Sequence, residues 1–355
     1  MNTSVPVAIL GPTGYTGLEL LELLANHPRM HAAYLASARP EPIDITREFP
    51  RLCDRLDSTT PALTKPIDHD AIARACKLAF LCLPHDAAIA HTPPLLDRGV
   101  KVVDLSAAYR IKDPATYHSA YAHHHTDLNN LAHAIYGLPE LNRAAIRSAM
   151  LVANPGCYPT AAALALAPFI RAGLIEPGTI VINAASGVSG AGREPKPHTT
   201  LVEAGDNFST YALGTHRHEP EIEQTLASIT PAGSGAPGVL FLPHLLPIER
   251  GILETITAVP SATAQSMDQQ ALTNVLSEAY RSEPFVVVRS DAPTLRDVQR
   301  TNRVHLSVKL LPAKGPRPSR LIIVAAIDNL TKGASGQALQ NANLMLGLDE
   351  HLGLR

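Results

Sequence analysis

The sequence predicts an α/β protein with a doubly wound parallel sheet and a central α+β domain built on a mixed sheet. Three observations carry that expectation. Through residues 5–153, short apolar strand patterns alternate with helical ones, as in a parallel sheet with helices on its faces. The first strand pattern runs through Gly11-Pro-Thr-Gly14-Tyr-Thr-Gly17 directly into a helix. Beyond Cys157 the strand patterns follow one another with fewer helices between them, as a mixed sheet requires. A chain of 355 residues is too long for one small core, so two domains are expected.

Each element has its own signal. Residues 5–10 (VPVAIL) form a buried-strand pattern, and 18–25 (LELLELLA) have helical apolar spacing. Residues 31–36, 78–83 and 100–105 are further strands, each followed by polar or turn residues. Met150-Leu-Val-Ala153 ends a short buried strand, and Asn154-Pro155-Gly156 is turn chemistry. Pro159 and Thr160 open a helix over 161–172 that stops at Gly173. In the second half, strands are expected at 179–183, 238–242, 252–258, 285–288, 304–308 and 321–326, with a last helix over 334–346. The Pro- and Gly-rich stretches 231–237 and 312–318 read as surface loops.

Composition narrows the function. The chain is 45% hydrophobic and 17% charged, with a net charge of −2, which offers no general attraction to nucleic acid or to an anionic membrane. No apolar run approaches the ~20 residues of a membrane span. Residues 5–10 are too short for the apolar part of a leader, so a cytoplasmic enzyme is expected. The four cysteines, Cys53, Cys76, Cys82 and Cys157, show neither metal-ligand nor disulfide-framework spacing.

Gly11, Gly14 and Gly17 follow a strand and open a helix, the setting of a Rossmann-type dinucleotide site. There the first glycine allows a tight turn, the next lets a pyrophosphate approach the backbone, and the last lets helix and strand pack closely. An NAD-type site places an acidic residue after the second strand. Here that strand ends in Ala36-Ser37-Ala38-Arg39, and a hydroxyl with a cation suits a 2′-phosphate, so the expected cofactor is NADP(H).

Cys157 stands between the turn at 154–156 and the alanine-rich helix, at or just before a helix N-terminus. Unpaired backbone N–H groups and the positive end of the helix dipole favour a thiolate there. Such a thiolate can attack an acyl group, with the same N–H groups stabilising the oxyanion. The other reading of Cys157 is a small buried apolar residue. His216 and His218 flank Arg217 just before Glu219-Pro220. Because Pro220 disfavours helix at Glu219, both histidines are expected in extended chain, with their rings on one side, ahead of a helix starting near Pro220. Histidine titrates near neutrality and suits proton exchange with a thiol. A His-x-His pair can also chelate a metal, but no third ligand stands at suitable spacing, and no metal is expected. His123-His124-His125 reads as a solvated loop rather than a metal tract. Ser186-Gly187-Val188-Ser189-Gly190-Ala191-Gly192-Arg193 is a glycine-rich loop able to bind anions, in which Arg193 is a candidate clamp on phosphate or carboxylate. Arg110 and Arg250 are further candidates of that kind.

Several segments taken together resemble the N-acetyl-γ-glutamyl-phosphate reductases, relatives of aspartate-semialdehyde dehydrogenase. These include Gly11-Pro-Thr-Gly-Tyr-Thr-Gly-Leu-Glu-Leu20, Phe80-Leu-Cys-Leu-Pro84, Val103-Asp-Leu-Ser106, Tyr136-Gly-Leu-Pro-Glu-Leu-Asn142 and Asn154-Pro-Gly-Cys-Tyr-Pro-Thr160. They continue through Ser186 to Arg193, His216-Arg-His-Glu-Pro-Glu-Ile222, Pro243-His-Leu245, Arg250-Gly251 and Asp328-Asn-Leu-Thr-Lys-Gly-Ala-Ser-Gly-Gln337. The resemblance implies NADPH-dependent reduction of an acyl phosphate through a thioester on Cys157, with release of inorganic phosphate. It implies an NADP-binding Rossmann domain over 1–155, completed by the C-terminal helix within 331–355, and a catalytic and oligomerisation domain over 156–330 in a homodimer or homotetramer.

By the same resemblance His218 is the acid/base partner of Cys157 and His216 a substrate or oxyanion contact, with the reverse order open. Asn154, Arg193 and Arg110 would bind substrate. Gly11, Thr13, Gly14, Tyr15, Thr16, Gly17, Ser37, Arg39, Leu83, Pro84, Ser186, Gly187, Gly190 and Asn329 would bind the cofactor. One departure lies at 38–45, where Ala38 separates Ser37 from Arg39 and Pro40-Glu41-Pro42 follows. The rival readings are an aminoadipyl-phosphate reductase, an aspartate-semialdehyde dehydrogenase, and a non-catalytic nucleotide sensor on the same fold.

Overall fold

The computed structural model describes residues 4–56 and 59–355. The chain divides into two compact units, Met1–Pro155 with Ala334–Arg355, and Gly156–Gly333.

The first unit is wound on a parallel sheet. In chain order it contains β1 (Val5–Leu10), α1 (Tyr15–Leu24), β2 (Met30–Ala36), the one-turn α2 (Ile45–Glu48), α3 (His69–Ala75), β3 (Leu78–Leu81) and α4 (His85–Leu96). It continues with β4 (Lys101–Asp104), α5 (Pro114–Tyr121), α6 (Leu128–His133), β5 (Ile135–Tyr136), α7 (Pro139–Ser148) and β6 (Leu151–Ala153). The strand order is β2-β1-β3-β4-β6-β5, and every pairing is parallel. Side chains alternate across the sheet, and both faces are covered. Val7, Ile9, Leu78, Phe80 and Val103 enter one apolar core, and Ala8, Leu10, Ala79, Leu81 and Val102 the other. Burial on both faces is why these strands read as unbroken apolar runs. Asp68, Asp113 and Asp127 cap α3, α5 and α6 by accepting first-turn N–H groups.

The second unit begins with α8 (Cys157–Arg171) and β7 (Ile180–Gly187), followed by α9 (Leu201–Ala204), β8 (Ser209–Thr210), α10 (Glu219–Ile229), β9 (Val239–Leu246) and β10 (Ile252–Ala258). Then come α11 (Ala262–Gln265), α12 (Gln269–Ala279), β11 (Val286–Val288), β12 (Val304–Leu311) and β13 (Arg320–Ile327). The sheet is mixed, in the order β11-β12-β13-β10-β7-β9-β8, with β7–β9 and β11–β12 parallel and the rest antiparallel. Along β10, Ile252, Glu254, Ile256 and Ala258 are buried, while Leu253, Thr255 and Thr257 between them are half-buried. Helix α8 packs on β10 and β13, and α12 on β12. Ala161, Ala162, Ala163, Ala165 and Ala167 of α8 are fully buried; such small side chains let the helix axis lie close to its neighbours.

A π-helical turn at Thr331–Ser335 precedes α13 (Gly336–Met345), which belongs to the first unit and has all ten residues buried. Ala338, Leu339, Ala342, Leu344 and Met345 join the core beneath the parallel sheet. Two of its asparagines are paired within that unit: Asn341 Nδ2 donates to Gly137 O (2.8 Å) and Asn154 Oδ1 (3.0 Å), and Asn343 Oδ1 lies 3.0 Å from His27 Nε2.

Several boundaries differ from expectation. Helix α1 starts at Tyr15 rather than 18, so Gly17 lies inside its first turn. Helix α8 starts at Cys157 itself, with Pro159 in its first turn. Strand β9 continues past 242 through Pro243 to Leu246, beside the edge strand β8. The two-residue strands β5 and β8 are too short to show a period in sequence.

Candidate active site

Cys157 is the first residue of the fifteen-residue α8, and Gly156 is its N-cap, with extended backbone and no side-chain cap. The first-turn N–H groups of a helix lack intrahelical partners, so the sulfur stands beside donors and the positive end of a dipole. The residue is half-buried. A Cβ at Gly333 would come within 2.8 Å of the Cys157 Cβ, so glycine there leaves room for the nucleophile. Burial pushes the Cys76 and Cys82 thiols up to about 12, which keeps both protonated near neutrality.

The two histidines gather on the residue after the cysteine. The Tyr158 ring centroid lies 5.7 Å from that of His216 and 5.8 Å from that of His218, and the two imidazoles are 4.9 Å apart, edge to face. Phe241 and Tyr211 close the cluster, at 5.2 Å and 5.4 Å from the His216 ring. The Tyr158 and Tyr211 hydroxyls are 3.1 Å apart. Burial raises both phenols, Tyr211 to about 12, with the neighbouring Cys157 adding to each, so both stay neutral donors. Burial, helped by the Arg217 charge, holds His216 down to about 4. Its Nδ1 accepts the His218 backbone N–H at 3.1 Å, which assigns the proton of the neutral ring to Nε2.

The backbone here is not the extended chain expected from Pro220. His218 is αR and is the N-cap of α10; Glu219 N–H bonds His216 O at 3.0 Å, closing a turn, and Pro220 sits in the first turn of the helix. Helix initiation outweighs the pre-proline preference at Glu219.

Residues 186–193 are also more ordered than a glycine loop. Ser186 and Gly187 finish β7, and Val188–Ala191 form a 3-10 turn. Gly187 is glycine for close approach: a Cβ would lie 2.8 Å from Arg250 N. Gly190 faces the Ser186 Oγ and the Asn329 Nδ2. Asn329 is buried with both ends of its amide engaged, Nδ2 donating to Ser189 Oγ (2.9 Å) and Oδ1 accepting Gly251 N–H (2.7 Å). Arg193 is exposed. Arg250 is buried and paired with Asp328 at 2.9 Å.

The glycine turn of the first unit fits a dinucleotide. Gly11 has φ +86°, and a Cβ there would lie 2.4 Å from Cys82 O. A Cβ on Gly17 would lie 2.3 Å from Gly11 O. Gly14, the N-cap of α1, would meet nothing nearer than 3.9 Å, so its missing side chain leaves open space before an uncapped helix start with no acidic residue in its first turn. That combination suits a pyrophosphate. Thr13, Tyr15 and Thr16 lie in the same turn and helix start, and the Thr16 carbonyl accepts the Ser335 hydroxyl at 2.8 Å. Leu83 and Pro84 form the β3–α4 junction, with the Leu83 Cδ2 within 3.3 Å of where a Gly11 Cβ would stand. At the end of β2, the Ser37 Oγ accepts the Arg39 N–H at 3.1 Å, and the Arg39 side chain is exposed.

Two expected substrate contacts lie deep in the first unit. Asn154 is fully buried, its Nδ2 donating to Ala334 O at 3.0 Å. Arg110 is buried and donates to Asn154 O (2.7 Å) and Leu105 O (2.9 Å). The geometry gives both a part in holding the turn that leads to Cys157. The 123–125 segment is not uniformly solvated: His125 is buried against Tyr109 and Tyr117, and its Nδ1 accepts Asp127 N–H. Among the described residues no three His, Cys, Asp or Glu side chains converge as a metal site would. Sequence reasoning missed Tyr211, Phe241, Glu221 and Gly333. Of these, Glu221 and Gly333 stand inside the quoted segments, where only the fold assigns them a task.

Comparison with known proteins agrees with this geometry. Residues 6–149 match the family model described as "Semialdehyde dehydrogenase, NAD binding domain", and residues 157–329 match "Semialdehyde dehydrogenase, dimerisation domain". The chain is 42% identical to an N-acetyl-gamma-glutamyl-phosphate reductase of Rhodopirellula baltica, covering 99% of each chain. It is 44% identical to one of Desulforudis audaxviator, covering 99% of this chain and 98% of that one. Among solved structures it is similar to aspartate semialdehyde dehydrogenase II from Vibrio cholerae (TM-score 0.71, 18% identity, 97% and 99% of the two chains). It is also similar to an aspartate semialdehyde dehydrogenase from Candida albicans solved with NADP (TM-score 0.69, 14% identity, 97% and 99%). At those identities the two structures speak for the fold.

Proposed function

The chain belongs to the N-acetyl-gamma-glutamyl-phosphate reductase family, and we propose that it reduces N-acetyl-γ-glutamyl phosphate to N-acetylglutamate 5-semialdehyde, with NADPH as reductant and a thioester on Cys157. The observation that carries the reading is the thiol at the first position of α8 with His216 and His218 gathered on the adjacent Tyr158.

The Cys157 thiolate attacks the γ-acyl carbon. Charge developing on the carbonyl oxygen is met by first-turn N–H groups of α8 and by the Nε2–H of neutral His216. The C–O bond to phosphate breaks as the C–S bond is made, and the His218 imidazolium gives its proton to the departing phosphate. When bound, the reduced nicotinamide would supply the hydride that takes the thioester to the anion of a thiohemiacetal. Collapse of the thiohemiacetal restores the carbonyl, expels the Cys157 thiolate and frees the semialdehyde, and His218 takes a proton from solvent for the next turn. In this reading Ser186, Gly187 and Gly190 contact the cofactor, with Asn329 supporting them through Ser189 and Gly251 and Arg193 clamping an anionic group of the substrate.

NADPH over NADH is supported by Ser37 and the exposed Arg39 where an acidic residue would bind a ribose hydroxyl. A homodimer or homotetramer is supported by the dimerisation-domain match and by apolar side chains exposed on the second unit at Leu201, Val202, Phe208, Leu213 and Leu240. We assign the enzyme to the cytoplasm.

The test is phosphate-dependent oxidation of N-acetylglutamate 5-semialdehyde by the purified protein with NADP, run beside aspartate and aminoadipate semialdehydes. Preference for either alternative aldehyde overturns the substrate assignment. Cys157→Ser is expected to abolish turnover while still binding NADPH, and wild-type turnover in that variant rules out the thioester.

A further inference from the structure

One buried carboxylate of the second unit has no part in the chemistry above. Glu221 lies in the first turn of α10, three residues after His218, and is fully buried. Its Oε1 accepts the Gly156 N–H at 2.8 Å. Gly156 is the N-cap of α8, the residue immediately before Cys157. Helices α8 and α10 pack against each other, and Ile222 and Leu226, also fully buried, secure α10 further along. The polar bond is therefore placed at the end of the helix pair where the thiol and the imidazoles are. Residues three apart share one face of a helix, so the carboxylate and His218 project to the same side. A negative charge beside a thiolate opposes its formation, so the carboxylate does not serve to activate the sulfur. What it offers is an acceptor oxygen, at the right reach, for one buried backbone N–H.

We infer that Glu221 is a positioning residue: its bond to Gly156 fixes the start of the nucleophile's helix against the start of the histidine's helix, and so sets the distance across which Cys157 and His218 exchange a proton. The inference rests on the reading of those two residues as the reacting pair.

Three variants test it. Glu221→Gln keeps an acceptor oxygen at the same reach without the charge. Glu221→Asp keeps the charge but falls one methylene short, and Glu221→Ala removes both. Gln should stay close to wild type in kcat. Asp and Ala should lose about 10–10²-fold in kcat, the cost of small misplacement of reacting groups, with little change in KM for the acyl phosphate. Iodoacetamide should label Cys157 more slowly in the same two variants, while NADPH binding is unchanged. Wild-type kcat in Ala, or a loss in Gln as large as in Ala, overturns the inference; should Ala fail to fold, Gln against Asp decides it. An active Cys157→Ser would defeat the underlying reading instead, whereas an inactive Cys157→Ser beside a fully active Glu221→Ala defeats only the positioning role.

Discussion

The backbone N–H of His218 donates to Nδ1 of His216 at 3.1 Å while the two rings meet edge to face. That bond makes the two histidines unequal. His216, held down to about 4, is a neutral ring whose remaining proton sits on Nε2, fit to donate to an oxygen but not to shuttle protons at pH 7. His218, at the start of α10, is the residue to which the proposed mechanism gives the acid/base role.

His218→Asn should therefore lower kcat by about 10²–10⁴. His216→Asn should act mainly on KM for the acyl phosphate, the signature of lost uniform binding. Steady-state kinetics of both variants check this. A collapse of kcat in His216→Asn with only a KM effect in His218→Asn would exchange the two roles.

Gly11 and Gly14 should respond differently to alanine. Gly11→Ala places a Cβ 2.4 Å from Cys82 O at φ +86° and should destabilise the protein, by about 1–2 kcal/mol from the left-handed backbone alone. Gly14→Ala has room within the protein and should unfold like wild type, yet bind NADPH more weakly if the pyrophosphate approaches that turn as proposed. Urea unfolding paired with fluorescence titration separates the two, and unaltered NADPH affinity in Gly14→Ala would remove the phosphate from that turn.

Arg39→Ala should raise KM for NADPH more than for NADH. A lost charge-assisted contact is worth about 1.5–3 kcal/mol, roughly tenfold to a hundredfold. An unchanged ratio would take the 2′-phosphate away from Arg39.

Glu254 gives the protein a stability that falls as pH rises. It is fully buried in β10, flanked across the sheet by Ala184 and Ala325, and neither carboxyl oxygen has a hydrogen-bond partner among the described residues. Burial pushes its pKa well up. A raised carboxyl keeps in the folded state a proton that the unfolded chain releases. Its contribution is thus fully present below the ordinary value of about 4.3 and is lost as pH rises through the folded value. Glu254→Gln imitates the protonated acid. It should match wild type near pH 4 and exceed it at pH 8, measured as urea midpoints. Parallel pH profiles of the two proteins would show that the side chain finds a partner when folded.

The parallel sheet was legible because strands covered on both faces, such as Leu78–Leu81, leave unbroken apolar runs between helical patterns. Cys157 was legible because turn residues, a proline and an alanine run mark a helix start within a few positions of it. The turn at His216–Glu219 was not, since a local preference at Glu219 gave way to the helix that follows. Nor was the pairing of Glu221 with Gly156, or the room that Gly333 leaves for the sulfur. Those residues are separated by tens to more than a hundred positions along the chain, and only long-range folding brings them together. Asn154, Arg110 and Asn329 each bond a backbone group brought near by the fold, which their residue types alone did not foretell.

The burial of α13 has a consequence for the order of synthesis. The first unit takes Leu339, Ala342, Leu344 and Met345 into its core, yet these residues are translated after every residue of the second unit. While the ribosome is still making residues 156–333, the parallel sheet carries an uncovered apolar face where that helix will lie. The second unit is contiguous along the chain; the first cannot close until residues 334–345 have been made. A nascent or truncated chain ending before residue 334 is therefore the form of this protein most exposed to aggregation and most in need of chaperone cover.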